Sequence, residues 1–376
     1  MHGHVAVCGG GLVGSSLVLA LRAAGRDVRV HDADPAVRRV LRDALAADVR
    51  DTWVETARGA SVVVAAVPPP AIPAVLAEAV PAAQPSALLT DVAGVKCSVV
   101  EGVSTALAEH WGALTRYVGG HPMAGSERSG PSAADATLFI GATWVLTPTT
   151  DTADDALARA GDLVRSLGAR VLVLAPGDHD TIVGLVSHLP QLVASVLADV
   201  AAEAVGSERD AVMAVAGPGF RDTTRIAASD ADLWLDIIEG NRTAVTSALA
   251  AFEARLAAVR SAVVDGDDRA LGEVLRRASE ARRRLLPKAI DEPTRDLIVP
   301  LRDRPGEIAR ITGALGSAGI NIEDLAMRHA SAADRGSLLL RVQADASARA
   351  VEVLTAADVE GVAIEADAVD DRGTRP

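Results

Sequence analysis

The sequence predicts an α/β chain of three domains, and three observations carry that reading. From Val5 to about Ala175, short β-rich apolar runs alternate with stretches of helical periodicity, as in a parallel, doubly wound sheet. From His179 to about Leu286 strand signals vanish and long amphipathic stretches take over. Beyond a proline-bearing segment, Pro287 to Pro293, a compact unit reads βαββαβ. At 376 residues there is chain enough for two or three cores of ~100–200 residues each. The expected limits are 1–175, 176–290 and 294–370.

In the first domain the strands expected are Val5–Cys8, Val28–His31, Ser61–Val67, Ala87–Asp91, Tyr117–Gly119, Thr143–Thr147 and Arg170–Leu174. The apolar stretch Val62 to Ala83 has the length of a membrane span, but Pro68, Pro69, Pro70, Pro73 and Pro81 would break a spanning helix, so it reads as a buried strand followed by a loop. In the second domain Val245, Leu249, Phe252, Leu256, Val259 and Val263 fall at 4-3-4-3-4 spacing. That spacing is one apolar seam for helix packing, within the chain or against a second copy. Arg276, Arg277, Arg282, Arg283 and Arg284 read as a solvated helix face. In the third domain strands are expected at Leu297–Pro300, Asn321–Met327, Gly336–Gln343 and Ala363–Ala368, with helices at Gly306–Ala318 and near Ala346–Leu354.

Composition narrows the function. Thirty-seven basic against 50 acidic residues give a net charge of −13, and the aromatics are three Phe, four Trp and one Tyr. A nucleic-acid binder shows a basic surplus and stacking aromatics, and this chain has neither. Cys8 and Cys97 are too few for a disulfide framework and read as free thiols in a reducing compartment. The apolar start, Val5 to Leu21, has no basic front end and is interrupted by glycines, unlike a signal peptide. The expectation is a cytoplasmic protein with no membrane partner.

The first strand runs into Gly9-Gly10-Gly11-Leu12-Val13-Gly14 and then a helix, a G-x-G-x-x-G string in the context its mechanism requires. Gly9 allows the tight turn, Gly11 lets a pyrophosphate approach the backbone, and Gly14 lets the helix pack on the sheet. Leu12 and Val13 open the helix, whose free N–H groups face the phosphates. Asp32, 18 residues past Gly14, ends the second strand, where a carboxylate accepts ribose hydroxyls and repels a 2′-phosphate. NAD is therefore expected over NADP, with Arg38 and Arg39 keeping NADP open. Val67 and Pro68 would wall the nicotinamide side, and Asp91 closes the next strand at the same edge.

The reacting centre is read from three strings. Gly119-Gly120-His121-Pro122-Met123-Ala124-Gly125-Ser126-Glu127 puts an imidazole just after a strand, and imidazole suits a general base because its unperturbed pKa is near 6.5. Arg221 and Arg225 stand at i and i+4 after a glycine turn, a pair suited to gripping a carboxylate, with surface ion pairing as the plainer alternative. Asp178-His179-Asp180 and Ser187-His188-Leu189-Pro190-Gln191 open the helical domain without metal-ligand spacing, and His188 reads as a pocket or interdomain hydrogen-bonding residue.

Taken together, Gly9–Gly14, the Asp91-to-Lys96 turn, the His121 motif, Ser187–Gln191 and Phe220–Ala227 resemble, in order, the TyrA family of prephenate and arogenate dehydrogenases over residues 5 to 290. The tail resembles an amino-acid-sensing ACT domain through Asp303-Arg304-Pro305-Gly306 and Gly319-Ile320-Asn321-Ile322. The resemblance implies NAD-dependent oxidative decarboxylation of a prephenate-like dianion, with His121 as the catalytic histidine and Arg225 as the carboxylate ligand. Arg221 stands where relatives often carry Lys. Ser126, Glu127, His188 and Gln191 join the substrate pocket, and Asp303, Pro305, Gly306, Gly319, Ile320 and Asn321 would hold an aromatic amino-acid effector; the expectation of a homodimer comes from the apolar seam of the helical domain. Two positions depart from relatives: Gly94 replaces a common Ser, and Gln191 replaces a His found in some. The substrate expected is prephenate, with arogenate and a 4-amino analogue as alternatives. A β-hydroxyacid dehydrogenase is disfavoured, because its Gly-x-x-x-Asn-x-x-x-Lys string is missing. A non-enzymatic NAD and amino-acid sensor would leave His121 and the arginine pair without a purpose.

Overall fold

The computed structural model describes residues 3–125, 129–205, 215–285, 294–302, 304–329, 335–359 and 361–364. The chain divides into two units, Met1–Ala258 and Val259–Pro376.

The first unit is built on an eight-stranded sheet of order β3-β2-β1-β4-β5-β6-β7-β8. Its strands are β1 Val5–Cys8, β2 Val28–His31, β3 Asp48–Val49, β4 Val62–Ala65, β5 Leu88–Asp91, β6 Tyr117–Pro122, β7 Thr143–Thr147 and β8 Arg170–Val173. β1, β4 and β5 are buried along their whole length, because helices cover both faces and every side chain meets apolar neighbours. One cluster on each side of the sheet makes the core. All pairings are parallel except β6–β7, where Gly119 opposes Thr147 and His121 opposes Val145. The sheet is thus mixed and not wholly parallel as expected, and the last two strands run against the first six. β3 adds a two-residue edge that carries no apolar run for sequence reading to detect.

The helices on this sheet are α1 Leu12–Ala23, α2 Pro35–Asp43, α3 Trp53–Ala57, α4 Ile72–Ala79, α5 Cys97–Ala106 and α6 Asp154–Ser166. α4 corrects the expected loop after β4. Pro69 and Pro70 lie in a short 3-10 turn and Pro73 in the first turn of α4, where the missing N–H costs no hydrogen bond. These prolines start a helix instead of breaking one.

From Pro176 the unit is helical: α7 Pro176–Val183, a π-helical turn Gly184–His188, and α8 Leu189–Val205. By length and composition the stretch Pro176–Glu203 would suit a membrane, yet His179, Asp180, His188 and Gln191 are buried within it and bonded to protein groups or packed beside them. α9 Pro218–Thr224, a 3-10 turn Arg225–Ala228, α10 Ala231–Gly240 and α11 Arg242–Val264 follow. Of the expected seam on α11, Val245 is buried, Leu249, Phe252 and Val259 are half-buried, and Leu256 and Val263 are exposed.

In the second unit, α12 Asp268–Leu285 exposes its arginines as expected. The linker from 287 to 293 lies outside the described residues. Then come β9 Thr294–Arg302, α13 Glu307–Ser317, β10 Asp324–His329, β11 Arg335–Gln343, α14 Ser347–Ala356 and β12 Ala363–Ile364. They form an antiparallel sheet of order β10-β11-β9-β12 over a core of Leu297, Val299, Ile311, Leu315, Leu338, Leu340, Val342 and Leu354. The βαββαβ order is as predicted. β10 begins three residues later than expected, because residues 321–323 form a connection in which Asn321 Nδ2 donates to Glu323 Oε1 at 2.9 Å.

Candidate active site

The carboxyl ends of β1, β4, β5 and β6 share one edge of the sheet. At β1 the chain turns at Gly9, whose φ of +106° and whose approach to Ala66 exclude a side chain: a Cβ would lie 2.0 Å from Ala66 O. Gly14 is equally closed, since its Cβ would meet Gly9 O at 2.1 Å. A Cβ on Gly11 meets nothing within 4 Å, and no side chain caps α1 there. The loop is packed tight on the protein side and open on the other, with the first N–H groups of Leu12 and Val13 at a bare helix start. That arrangement fits a pyrophosphate.

Asp32 supports this loop directly. Its Oδ2 accepts from Gly10 N at 2.6 Å and its Oδ1 from Asp34 N at 2.8 Å. Arg38 donates to the backbone oxygens of Asp32 (2.6 Å) and Ala33 (2.9 Å), closing the turn into α2. Cys8, beneath the loop, is pushed up to about 12 by burial and by Asp32 and Glu78, so it remains a thiol. Val67 is half-buried and Pro68 exposed after β4.

Asp91 ends β5 fully buried, and both oxygens of its carboxylate are engaged by protein donors. Oδ1 accepts from Ala93 N at 2.8 Å and pairs with Lys96 Nζ, and Oδ2 accepts from Tyr117 OH at 2.7 Å. Burial and the adjacent carboxylate hold Tyr117 well above the usual phenol range, so it stays a donor. Burial lowers the Lys96 pKa and Asp91 opposes that shift. Lys96 Nζ also donates to Gly120 O at 2.7 Å, which ties the network to the residue before His121.

His121 stands at the end of β6, half-buried. Its Nδ1 lies 2.8 Å from His179 Nε2, and His179 Nδ1 lies 2.8 Å from Asp180 Oδ1. Asp180 also accepts from the N–H groups of Lys96 and Cys97, both at 2.8 Å, at the start of α5. Against the cost of its burial, these hydrogen bonds bring Asp180 below the usual carboxylate range. The His121 ring is pulled well below the ordinary imidazole range, first by burial and then by Lys96, His179 and His188, with Asp180 opposing. It is therefore neutral near pH 7 and able to accept a proton. Gly94 faces its other nitrogen: a Cβ there would sit 3.7 Å from His121 Nε2 and 3.9 Å from Ile237 Cδ1.

His188, delivered by the π-helical turn, is buried and accepts at Nδ1 from Asn241 Nδ2 at 3.2 Å; the same amide lies 2.8 Å from Asp180 O. Its edge packs on Trp234 with ring centroids 5.9 Å apart. Burial lowers its pKa to about 4. One chain of contacts thus joins His121, His179, Asp180, Asn241 and His188. Gln191 is buried one turn further on in α8. Arg221 and Arg225 are exposed, and the helix tightens into a 3-10 turn at Arg225, so the pair straddles a change of helix type. That turn packs on α8. Ser126 and Glu127 lie outside the described residues, as does Asp303.

In the second unit Gly306 caps α13 with φ +86° and Gly319 follows it with φ +71°, left-handed positions that favour glycine. Pro305 is exposed, Ile320 is buried in the core and Asn321 is exposed.

Sequence reading assigned no role to His179, Asp180, Lys96, Tyr117 or Asn241. The Asp178-His179-Asp180 string is conspicuous in composition, but nothing in it distinguishes a buried hydrogen-bonded chain from a surface cluster.

Comparison with known proteins places these features. Residues 17–173 match the family model for the prephenate dehydrogenase nucleotide-binding domain, and residues 175–277 match that for the prephenate dehydrogenase dimerization domain. A cyclohexadienyl dehydrogenase of Zymomonas mobilis is 33% identical, over 74% of this chain and 94% of its own. A prephenate dehydrogenase of Bacillus subtilis is 28% identical over 98% of this chain and 99% of its own, so that likeness extends through the second unit. Among solved structures, prephenate dehydrogenase from Aquifex aeolicus in complex with hydroxyphenyl propionate and NAD+ superposes with a TM-score of 0.69 at 28% identity. It covers 76% of this chain and 99% of that one. Arogenate dehydrogenase from Synechocystis gives 0.63 at 27% identity, covering 75% and 99%. This chain belongs to the prephenate dehydrogenase family of oxidoreductases.

Proposed function

We propose that the protein is a cytoplasmic, homodimeric, NAD-dependent prephenate dehydrogenase that converts prephenate to 4-hydroxyphenylpyruvate and CO₂. The observation that carries this reading is His121: a neutral imidazole at the same edge of the sheet as an open glycine loop, in a chain of this family.

Gly9, Gly11, Leu12, Val13 and Gly14 would hold the pyrophosphate, Asp32 would stand at the ribose, and Val67 and Pro68 would form the nicotinamide side, with the fully buried Asp91 acting from behind through Lys96 and Tyr117. Bound NAD+ supplies the hydride acceptor. His121 Nε2 takes the proton of the ring 4-hydroxyl as the C4–H bond is lost as hydride. The ring carboxylate then leaves as CO₂ and its electron pair enters the ring, giving a phenolate that recovers the proton from His121. Aromaticity stabilises the product, so the protein's main tasks are orientation, for ~7–11 kcal/mol of barrier lowering, and proton acceptance, for ~10²–10⁴-fold. Arg225, with Arg221, grips a substrate carboxylate, and Ser126, Glu127, His188 and Gln191 complete the pocket.

The C-terminal unit is assigned as an ACT-like sensor of an aromatic amino acid, with tyrosine the effector and Asp303, Pro305, Gly306, Gly319, Ile320 and Asn321 around it. The βαββαβ order and the two left-handed glycines flanking α13 support this. Tyrosine titrated into the assay should lower activity, and a flat response to millimolar concentration would remove the regulatory role.

The test of the whole reading is NADH formation at 340 nm with prephenate, arogenate and the 4-amino analogue side by side. Prephenate should be turned over fastest. Absence of signal with all three would overturn the assignment.

A further inference from the structure

The proton arrangement of the His121–His179–Asp180 chain can be worked out from its ends. Asp180 is a buried carboxylate whose oxygens already accept two backbone N–H bonds, from Lys96 to Oδ1 and from Cys97 to Oδ2. An ionised carboxylate only accepts, so the 2.8 Å contact with His179 Nδ1 requires the proton on that nitrogen. With that as its only proton, His179 presents a bare Nε2, which accepts at 2.8 Å from His121 Nδ1–H. His121 Nε2 is left without a proton, on the side facing Gly94. Without such a partner, an imidazole is free to place its single proton on Nε2, where it cannot serve as a base.

We propose that His179, oriented by Asp180, is a positioning residue that locks His121 in the Nδ1–H tautomer and so presents Nε2 as the proton acceptor. It acts through His121 and touches neither substrate nor cofactor. Asp180 is anchored at the start of α5, so the lock is built on a rigid element. Lys96 belongs to the same anchor, since its N–H holds Asp180 and its Nζ holds Gly120 O.

The inference rests on the proposed role of His121 as base, and its test has a readout that needs no turnover. In protein labelled with ¹⁵N-histidine, the His121 resonances, assigned by their loss in His121→Asn, report the tautomer directly. Wild type should show Nδ1–H with a bare Nε2. His179→Leu should populate the Nε2–H form and lower kcat ~10–100-fold, with KM for NAD+ within about twofold of wild type. His179→Gln sets a carbonyl oxygen near the place of Nε2; it should restore the Nδ1–H tautomer and most of kcat, which a merely structural loss would not allow. A His121 proton on Nε2 in wild type, or a His179→Leu protein with wild-type tautomer and kcat, would overturn the lock. Failure of wild type to oxidise any of the three ring substrates would instead defeat the functional reading, while the spectrum would still decide the tautomer.

Discussion

Lys96 and Asp91 form an ion pair in which neither side chain has any solvent exposure, and the same Lys96 ammonium holds the backbone oxygen of Gly120, the residue before His121. The proposed base is thus tied to a buried charge network through Gly120 as well as to His179.

Removing one partner of such a pair leaves a buried charge uncompensated. Lys96→Met should cost ~3–5 kcal/mol in urea unfolding, and Asp91→Asn combined with Lys96→Met should recover part of that loss. Additive losses in the double variant would mean that the two groups are not coupled.

The lowered pKa of His121 predicts the acid limb of kcat/KM. Lys96, His179 and His188 disfavour its protonation and Asp180 favours it, with burial the largest cause. The limb assigned to this base should fall below pH 6.5, so activity persists into mildly acidic buffer. A limb at or above 6.5 that vanishes in His121→Asn would contradict the burial argument.

His188 gives a separate prediction for stability. Its pKa is about 4 in the folded protein against 6.5 for a free imidazole. Between those values the unfolded chain binds more protons than the native one, so stability should rise with pH from 4 to 6.5. Urea midpoints of wild type and His188→Gln, compared at both pH values, isolate this contribution. The variant should show the smaller rise.

Two glycines beside His121 should respond in opposite ways. A Cβ on Gly94 has only ordinary contacts, so Gly94→Ser should keep its melting temperature while placing a hydroxyl next to His121 Nε2 and altering kcat. A Cβ on Gly120 would lie 2.5 Å from Asp91 O and 2.9 Å from Trp144 Nε1, so Gly120→Ala should lose ~1–3 kcal/mol of stability. Thermal melts of both proteins check the contrast.

At the nucleotide loop, folding and binding should separate. Gly11→Val adds bulk where the protein itself has no atom within 4 Å, so the fold should persist while NAD+ affinity drops ~10–100-fold. By contrast, Gly9→Ala forces a Cβ against Ala66 O and should unfold the loop itself. Calorimetric NAD+ titration beside a thermal melt distinguishes the two.

Much of the architecture could be read from periodicity. Strands β1 and β4 are apolar on both faces because both faces are covered, and such runs stand out. The reversal at β7 did not, since Thr143–Thr147 is equally apolar in either direction and the pairing is decided by the partner strand. The helix α4 was hidden because proline in a first turn looks the same in sequence as proline that breaks a helix. Within the site, Gly9, Gly14 and His121 carry local signals: a motif, a turn, a strand end. His179 lies 58 residues from His121 and meets it through the packing of α7 on α5 and β7, so sequence spacing gives no hint of the contact.

The central claim is that His121 accepts the proton during oxidation, and the turnover of His121→Asn with prephenate and NAD+ tests it most directly. The account predicts kcat lower by ~10²–10⁴-fold with NAD+ binding intact. A His121→Asn enzyme that turns over at the wild-type rate would contradict it.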